Sequence, residues 1–233
     1  EALYRNVSAV FQRYQSYKMT VAENVRISDM EKEKQEPLGK GETVESALEK
    51  ASFYCESGKL TEGLDSMLGK DFGGTDLSGG QWQRIAIARG LYRTHGMIVL
   101  DEPTAGLDPR KRIEMRNLIA EWAKERIIII ATHVVSDVEL IADRILMLDA
   151  GRMLADSTVW ELTEQLYGRV YETELTLPLE ELEELHQVSS VYHRKGNVYA
   201  KVITKEGEPQ LKGAVPVYPD LEDVYLSYFG EEV

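Results

Sequence analysis

Two short runs of consecutive apolar residues most constrain what this chain can fold into. Met97–Leu100 and Ile127–Ala131 are apolar at every position, which is typical of strands buried on both faces of a parallel sheet. Between them, Asp108-Pro109 is a favourable helix start, and the apolar residues that follow recur at helical spacing. Strand, helix and strand in this order predict a parallel sheet with crossover connections.

Other segments extend this pattern toward both ends of the chain. Val7–Phe11 is predicted as a strand, Gly79–Arg93 as a helix and Arg144–Leu148 as a third strand after Ile127–Ala131. Residues 43–68 are predicted to be helical and surface-exposed, with an interruption near Gly58. Residues 29–42, which are charged and contain proline and glycines, are predicted to be a loop.

The C-terminal residues change in character. Val170–Thr176 and Asn197–Thr204 partly alternate like half-exposed strands, while Leu179–Leu185 and Leu221–Phe229 are predicted helices. We therefore predict a main domain over residues 1–164, with a helical subdomain at about 14–90, and a small α/β accessory domain over 165–233.

Charge and composition exclude several classes of protein. The net charge is −13, and residues 156–233 hold 16 acidic and 6 basic side chains, which argues against nucleic acid as the main partner. The longest apolar run is far shorter than the roughly 20 residues that a membrane-spanning helix needs. Because Cys55 is the only cysteine, no internal disulfide can form, and a reducing cytoplasm is the expected compartment.

Polar residues follow three of the predicted strands at the end where ligands bind in parallel sheets. Gln12, Asp101 and His133 each lie just past a strand end, so we predict a site at this edge. Asp101 can bind Mg²⁺, and Glu102 can accept a proton from an attacking water. Gln12 could bind the metal or the water, and His133 could contact a phosphate, although each alone is more often a structural residue.

A second candidate group precedes the Gly79–Arg93 helix. Glycines in Ser78-Gly79-Gly80 let backbone amides approach an anion, and the helix directs its positive end toward it. The alternative for Ser78 is a plain helix cap. Asp108 has the same alternative at the next helix, and a capping role does not exclude a functional one.

These segments together resemble the ATP-binding domains of ABC (ATP-binding cassette) transporters. Leu77–Arg84 resembles the signature motif, Ile98–Glu102 the Walker B strand, and Ala105–Asp108 the D-loop. His133 matches the switch histidine, and Val10-Phe11-Gln12 the Q-loop. The C-terminal part, ending in residues 219–226, resembles the extension of ABC-2-type export ATPases, whereas residues 1–108 look more like exporter-type ATPases.

The resemblance implies a P-loop NTPase-like (RecA-like) α/β fold and an ATPase that binds ATP and Mg²⁺. It assigns Glu102, His133 and Gln12 to catalysis and Asp101 and Gln12 to the metal. The resemblance assigns nucleotide binding to Ser78, Gly79, Gly80, Gln81 and Asp108. It further implies a second ABC ATPase domain and transmembrane permease subunits as partners, export of a peptide, antibiotic or lipid, and a cytoplasmic location on the inner face of the cell membrane.

One part of the family pattern has no counterpart in residues 1–233, namely the Gly-x-x-x-x-Gly-Lys-Ser/Thr phosphate loop (Walker A) and its strand. In the family, ATP lies between the phosphate loop of one domain and the Ser-Gly-Gly turn of the other. We therefore expect a fragment of a longer protein, or one that needs a partner, with negligible ATPase activity alone and with apolar edges exposed on the neighbouring strands.

Two other functional classes remain open. The chain could be a non-hydrolysing regulatory protein that contributes Ser78–Gly80 to a partner ATPase. A soluble ABC protein of DNA repair or translation is disfavoured, because only 65 residues separate Gln12 from Ser78 and there is one cassette, not two.

Overall fold

The computed structural model describes residues 6–30, 32, 42–55, 60–93, 95–208 and 213–230. The chain divides into two compact units, one ending at Val134 and the other beginning at Val135. This division lies upstream of the domain boundary at residue 164, which stays a prediction.

A three-stranded parallel sheet forms the centre of the first unit. Its strands are β1 (Val7–Val10), β2 (Met97–Asp101) and β3 (Ile127–Ala131), in the order β1-β2-β3. Register places Val10 beside Leu100 and Leu100 beside Ile130, so the three carboxyl ends meet at one edge. The predicted parallel sheet is confirmed.

Three helices lie between β1 and β2 in the described chain: α1 (Val21–Arg26), α2 (Val44–Lys50) and α3 (Gly79–Tyr92). α4 (Pro109–Trp122) lies between β2 and β3. α1 and α2 pack against α3, which contacts β1. Helix α3 packs closely on the sheet at Gly90, where an added Cβ would lie 2.9 Å from Val10 Cγ2 and 3.1 Å from Ile98 Cδ1. A glycine here lets α3 lie directly on β1 and β2, which fixes the start of α3 relative to the sheet edge.

Two predictions for this unit are wrong. β3 forms as predicted, but it is not buried on both faces: Ile127 is 59% exposed and Ile129 43%, because no element in the described part of the chain covers that face. The helical prediction for residues 43–68, interrupted near Gly58, fails over most of its length: α2 ends at Lys50, Ser52 has a left-handed backbone (φ +53°), and the other described residues add only a 3₁₀ turn at Gly63–Asp65. The loop predicted at 29–42 lies mostly outside the described residues.

The second unit combines a hairpin, a four-stranded antiparallel sheet and short helices. Its strands are β4 (Ile145–Asp149), β5 (Arg152–Ser157), β6 (Val170–Glu174), β7 (Gln187–Arg194), β8 (Asn197–Ile203) and β9 (Val215–Pro216). Its helices are α5 (Val135–Val138), α6 (Val159–Glu164), α7 (Leu179–Leu185) and α8 (Leu221–Phe229).

The strand predicted to follow β3 in the parallel sheet pairs differently. β4 pairs antiparallel with β5 through a turn at Ala150 and Gly151, both with positive φ (44° and 79°). The sheet of order β7-β8-β6-β9 follows. A hydrophobic core in this unit contains Leu162, Leu166, Val170 and residues of α8.

Candidate functional site

The carboxyl edge of the parallel sheet brings two of the predicted residues together. The backbone N–H of Gln12, two residues past β1, donates to Asp101 Oδ2 at 3.4 Å. Asp101 is the last residue of β2, so the alignment of the two strands dictates this contact. The side chain of Gln12 is exposed. The contact with Asp101 uses the backbone N–H of Gln12, whereas the sequence prediction rested on its side-chain amide.

Glu102 is held at the same edge by the residues that follow β3. Its backbone is left-handed (φ +49°), an uncommon conformation for a residue with a side chain, and its N–H donates to Ala131 O at 2.8 Å. One carboxylate oxygen accepts the Thr132 hydroxyl at 2.8 Å. The other accepts the His133 backbone N–H at 2.9 Å and lies 2.7 Å from His133 Nδ1.

These contacts determine the state of the carboxylate. Burial by itself raises the pKa of Glu102, but the hydrogen bonds from Thr132 and His133 outweigh it and hold the pKa below its ordinary value. The Glu102 side chain is 14% exposed and that of His133 77%, so a partly enclosed anion faces an accessible imidazole. Such a pair can receive and pass on a proton. Sequence reasoning missed Thr132, although its position directly before His133 was a usable signal.

The start of α3 places Ser78 and Gln81 in a reciprocal cap. Ser78 Oγ accepts the Gln81 N–H at 3.3 Å, and Gln81 Oε1 accepts the Ser78 N–H at 2.9 Å. The alternative considered for Ser78, a helix cap, is therefore present. Asp108 likewise caps α4 by accepting the Lys111 N–H at 3.0 Å, and this bond lowers the pKa of Asp108.

None of the residues described in this unit requires glycine at positions 79 and 80. Both residues are helical; an added Cβ at Gly79 would meet only the Tyr14 hydroxyl at 3.7 Å, and one at Gly80 would meet nothing within 4 Å. Glycine forms helix less well than alanine by up to about 1 kcal/mol. What the two glycines provide is open backbone on the outside of the turn, which suits the close approach of another molecule.

A cavity of about 320 Å³ joins this turn to the sheet edge. Of the predicted residues it is lined by Gln12, Gly79, Gly80, Asp101 and Glu102. The glycine turn and the carboxylates of one chain therefore face the same space, although the resemblance implied that they serve different nucleotides. Ser78, Gln81, Asp108 and His133 are not among the lining residues.

The segment after Gln12 is fastened to α3 at two points. The Tyr14 hydroxyl donates to Gly79 O at 2.6 Å, beside the cavity. Near the other end of α3, Arg89 donates to Gln15 O at 2.5 Å, to Asn24 O at 2.7 Å and to Asn24 Oδ1 at 2.6 Å. These contacts hold the start of α3 and the Gln12 segment in one arrangement.

The residues at the sheet edge fit a magnesium ion that a phosphate helps to bind. Mg²⁺ in phosphate-transfer sites usually takes one or two protein carboxylates and completes its shell with phosphate oxygens and waters. Asp101 offers such a carboxylate beside the cavity. No group of three or more His, Cys, Asp or Glu side chains suited to a metal occurs among the residues described, so a site held by protein ligands alone is not indicated there.

Comparison with known proteins shows which proteins this chain is similar to. A family model described as ABC transporter matches residues 1–105. An energy-coupling factor transporter ATP-binding protein of Mycoplasmoides gallisepticum is 37% identical over 69% of this chain and 47% of its own length. This chain is a relative of the ATP-binding proteins of ABC transporters.

Two further relatives are a transport ATP-binding protein and a lipid flippase. A subtilin transport ATP-binding protein of Bacillus subtilis is 33% identical over 78% of this chain and 29% of its own length. An ATP-dependent lipid A-core flippase of Haemophilus influenzae is 33% identical over 72% and 28%. The chain thus spans less than half the length of these three relatives.

A solved ABC structure supports the fold assignment. A bacterial Atm1-family ABC exporter with ATP bound matches 70% of this chain and 27% of its own, with a TM-score of 0.55 and 25% identity. The predicted P-loop NTPase-like α/β fold is confirmed. ABC ATPases generally hydrolyse ATP with Mg²⁺, dimerise and work with transmembrane subunits. The described part of this chain contains no helix long and apolar enough to cross a membrane.

Proposed function

We propose that this chain is part of an ATP-hydrolysing ABC transporter subunit that drives export of a peptide, an antibiotic or a lipid. The observation that carries the proposal is the Glu102 carboxylate, which three hydrogen-bonding groups of Thr132 and His133 hold beside Asp101 at the sheet edge. Similarity to a subtilin transport protein and to a lipid A-core flippase supports export as the direction.

Each predicted residue has a role in this proposal. Glu102 is the general base, oriented by Thr132, and His133 and Gln12 contact the terminal phosphate and the attacking water. Asp101, with Gln12, binds Mg²⁺. The turn from Ser78 to Gln81 and Asp108 complete the nucleotide site of a second ATPase domain, homologous or identical, that docks on this chain. Transmembrane permease subunits hold the pair at the inner face of the membrane.

ATP turnover by the purified chain tests the proposal directly. Because residues 1–233 contain no phosphate loop, we expect turnover with Mg²⁺-ATP to equal that of the Glu102→Gln variant. In a version that includes a phosphate loop, Glu102→Gln should reduce the rate by a factor of about 10²–10⁴. Measurable turnover by 1–233 that Glu102→Gln abolishes would contradict the first expectation. Turnover insensitive to Glu102→Gln in the longer version would contradict the assigned base.

A second candidate is a non-hydrolysing protein that contributes its signature turn to a competent partner. The open backbone of Gly79 and Gly80 favours it, since the fold itself does not need glycine there. Co-purification with an ATPase whose activity falls on Ser78→Arg in this chain, but not on Glu102→Gln, would select this candidate over the first.

A further inference from the structure

The second unit carries a cluster of exposed aromatic side chains around one carboxylate, which we call the aromatic patch. It consists of Trp160, Glu164, Tyr167 and Tyr218. Trp160 and Glu164 lie one turn apart on α6, and the Tyr167 N–H donates to Glu164 O at 3.1 Å. The rings of Tyr167 and Tyr218 are 6.0 Å apart and tilted by 57°, and the Tyr218 hydroxyl donates to Glu164 Oε2 at 3.4 Å.

The core of the unit does not need these rings. Helix α6 and the turn after it pack inward through Leu162 and Leu166, which are 0% and 3% exposed. Trp160 and Tyr167 are each 65% exposed and Tyr218 56%. Trp and Tyr are enriched at protein interfaces, so exposed aromatic side chains clustered in this way are typical of an interaction surface.

The charge around the patch selects the kind of partner. Residues 156–233 hold 16 acidic and 6 basic side chains, and the charged group of the patch itself is a carboxylate. Arg169, two residues after Tyr167 in the chain, donates from Nε to Thr204 O at 3.0 Å. An anionic membrane surface would be repelled, whereas a cation can bind the faces of the rings and the carboxylate together.

We propose that the aromatic patch docks an arginine-rich segment of a partner protein, with one guanidinium stacked on the Tyr167 and Tyr218 rings and paired with Glu164. Arginine suits this site better than lysine because its planar head stacks on rings while donating to a carboxylate. The surface lies wholly within the second unit, so the proposal stands or fails independently of the ATPase function proposed above.

Binding of a defined peptide to the full chain tests the proposal. The probe is a dye-labelled peptide of five Arg-Gly repeats with blocked ends, followed by fluorescence anisotropy, and a five-repeat Lys-Gly peptide serves for comparison. Tyr167→Ala and Glu164→Gln should each weaken binding about twofold to fivefold, and Tyr167→Ala with Tyr218→Ala roughly tenfold. The lysine peptide should bind more weakly than the arginine peptide.

Two matched variants separate the patch from general attraction to an acidic protein. Glu180→Gln removes an exposed acid on α7, and Tyr54→Ala removes a ring that is 63% exposed in the first unit; neither should change the affinity. The proposal is overturned if the arginine peptide does not bind, if Tyr167→Ala binds as well as the native chain, or if Glu180→Gln weakens binding as much as Glu164→Gln. Sedimentation of the native chain, but not of the double tyrosine variant, with phosphatidylcholine vesicles would assign the patch to a membrane and overturn it too.

Discussion

Replacement of Arg89 by methionine should destabilise the first unit more than any other single change to a charged residue of α3. The guanidinium donates three hydrogen bonds, two to Asn24 and one to Gln15, and lies over the Tyr17 ring at 4.8 Å. Asn24 is 0% exposed, so its freed acceptors cannot turn to water, whereas Gln15 is exposed and can. Methionine keeps most of the apolar volume and removes only the donors.

The size of the effect follows from those two buried acceptors. Leaving a buried acceptor unpaired costs about 1–3 kcal/mol, and removing a buried cation returns part of that cost. We therefore expect Arg89→Met to lower the free energy of unfolding by about 2–4 kcal/mol. Arg89→Lys, which can still serve one acceptor, should lose about half as much.

Urea unfolding of the full chain measures the loss, and amide exchange in residues 14–26 shows where it occurs. A matched control is Arg93→Met, which removes a single bond to Val7 O at 3.3 Å just after α3 and should cost only about 0.5–1.5 kcal/mol. A loss below about 1 kcal/mol for Arg89→Met, or one no larger than for Arg93→Met, would show that the two acceptors on Asn24 find other partners.

Three further substitutions probe the turn before α3, its glycines and α6. Gly80→Ala should stabilise the chain by up to about 1 kcal/mol in a thermal melt, since its new methyl meets nothing, and a destabilised variant would refute the argument that the fold does not need this glycine. Gly74→Ala should cost about 1–3 kcal/mol in the same melt, because the new Cβ would lie 2.2 Å from Met67 O, and unchanged stability would contradict that packing. Hydrogen bonds from the Thr158 backbone, then from the Ser157 and Thr158 hydroxyls, lower the pKa of Glu161 from 4.5 to about 2. The stability that Glu161 adds is therefore full above pH 4.5 and fades as the pH falls toward 2, so the difference in stability between the native chain and Glu161→Gln should close over that range and should not widen.

Local signals explain which elements could be predicted. β3 was predicted with its observed bounds, because five apolar residues in a row have few other solutions, and α4 begins at Pro109 after its Asp108 cap as the sequence indicated. α7 and α8 were also predicted with their observed bounds.

The features that sequence reasoning missed depend on residues distant in the chain. Exposure of Ile127 and Ile129 depends on what covers β3, which the composition of β3 itself does not reveal. The composition of Ile145–Asp149 suits a strand in a parallel or an antiparallel sheet. Its antiparallel pairing depends on β5, a strand that was not predicted.

The site shows the same limit. Strand ends predicted that Gln12, Asp101 and His133 lie at one edge, because parallel strands align their carboxyl ends, and the contact of Gln12 with Asp101 agrees with this. The contact of His133 with Glu102 was not predicted. The cavity shared by Gly79 and Glu102 could not be predicted, since it depends on how α3 packs across the sheet at Gly90. The roles of these residues in ATP chemistry stay predictions until turnover is measured.

The exposed isoleucines of β3 also affect the solubility of this protein. A five-residue apolar strand with two exposed isoleucines would stack readily against its own copies, as β-rich segments without charge do. Near neutral pH, mutual repulsion between chains of charge −13 opposes that association. Net repulsion vanishes near the isoelectric point of about 4.9, so we expect the protein to aggregate and precipitate in buffers close to that pH.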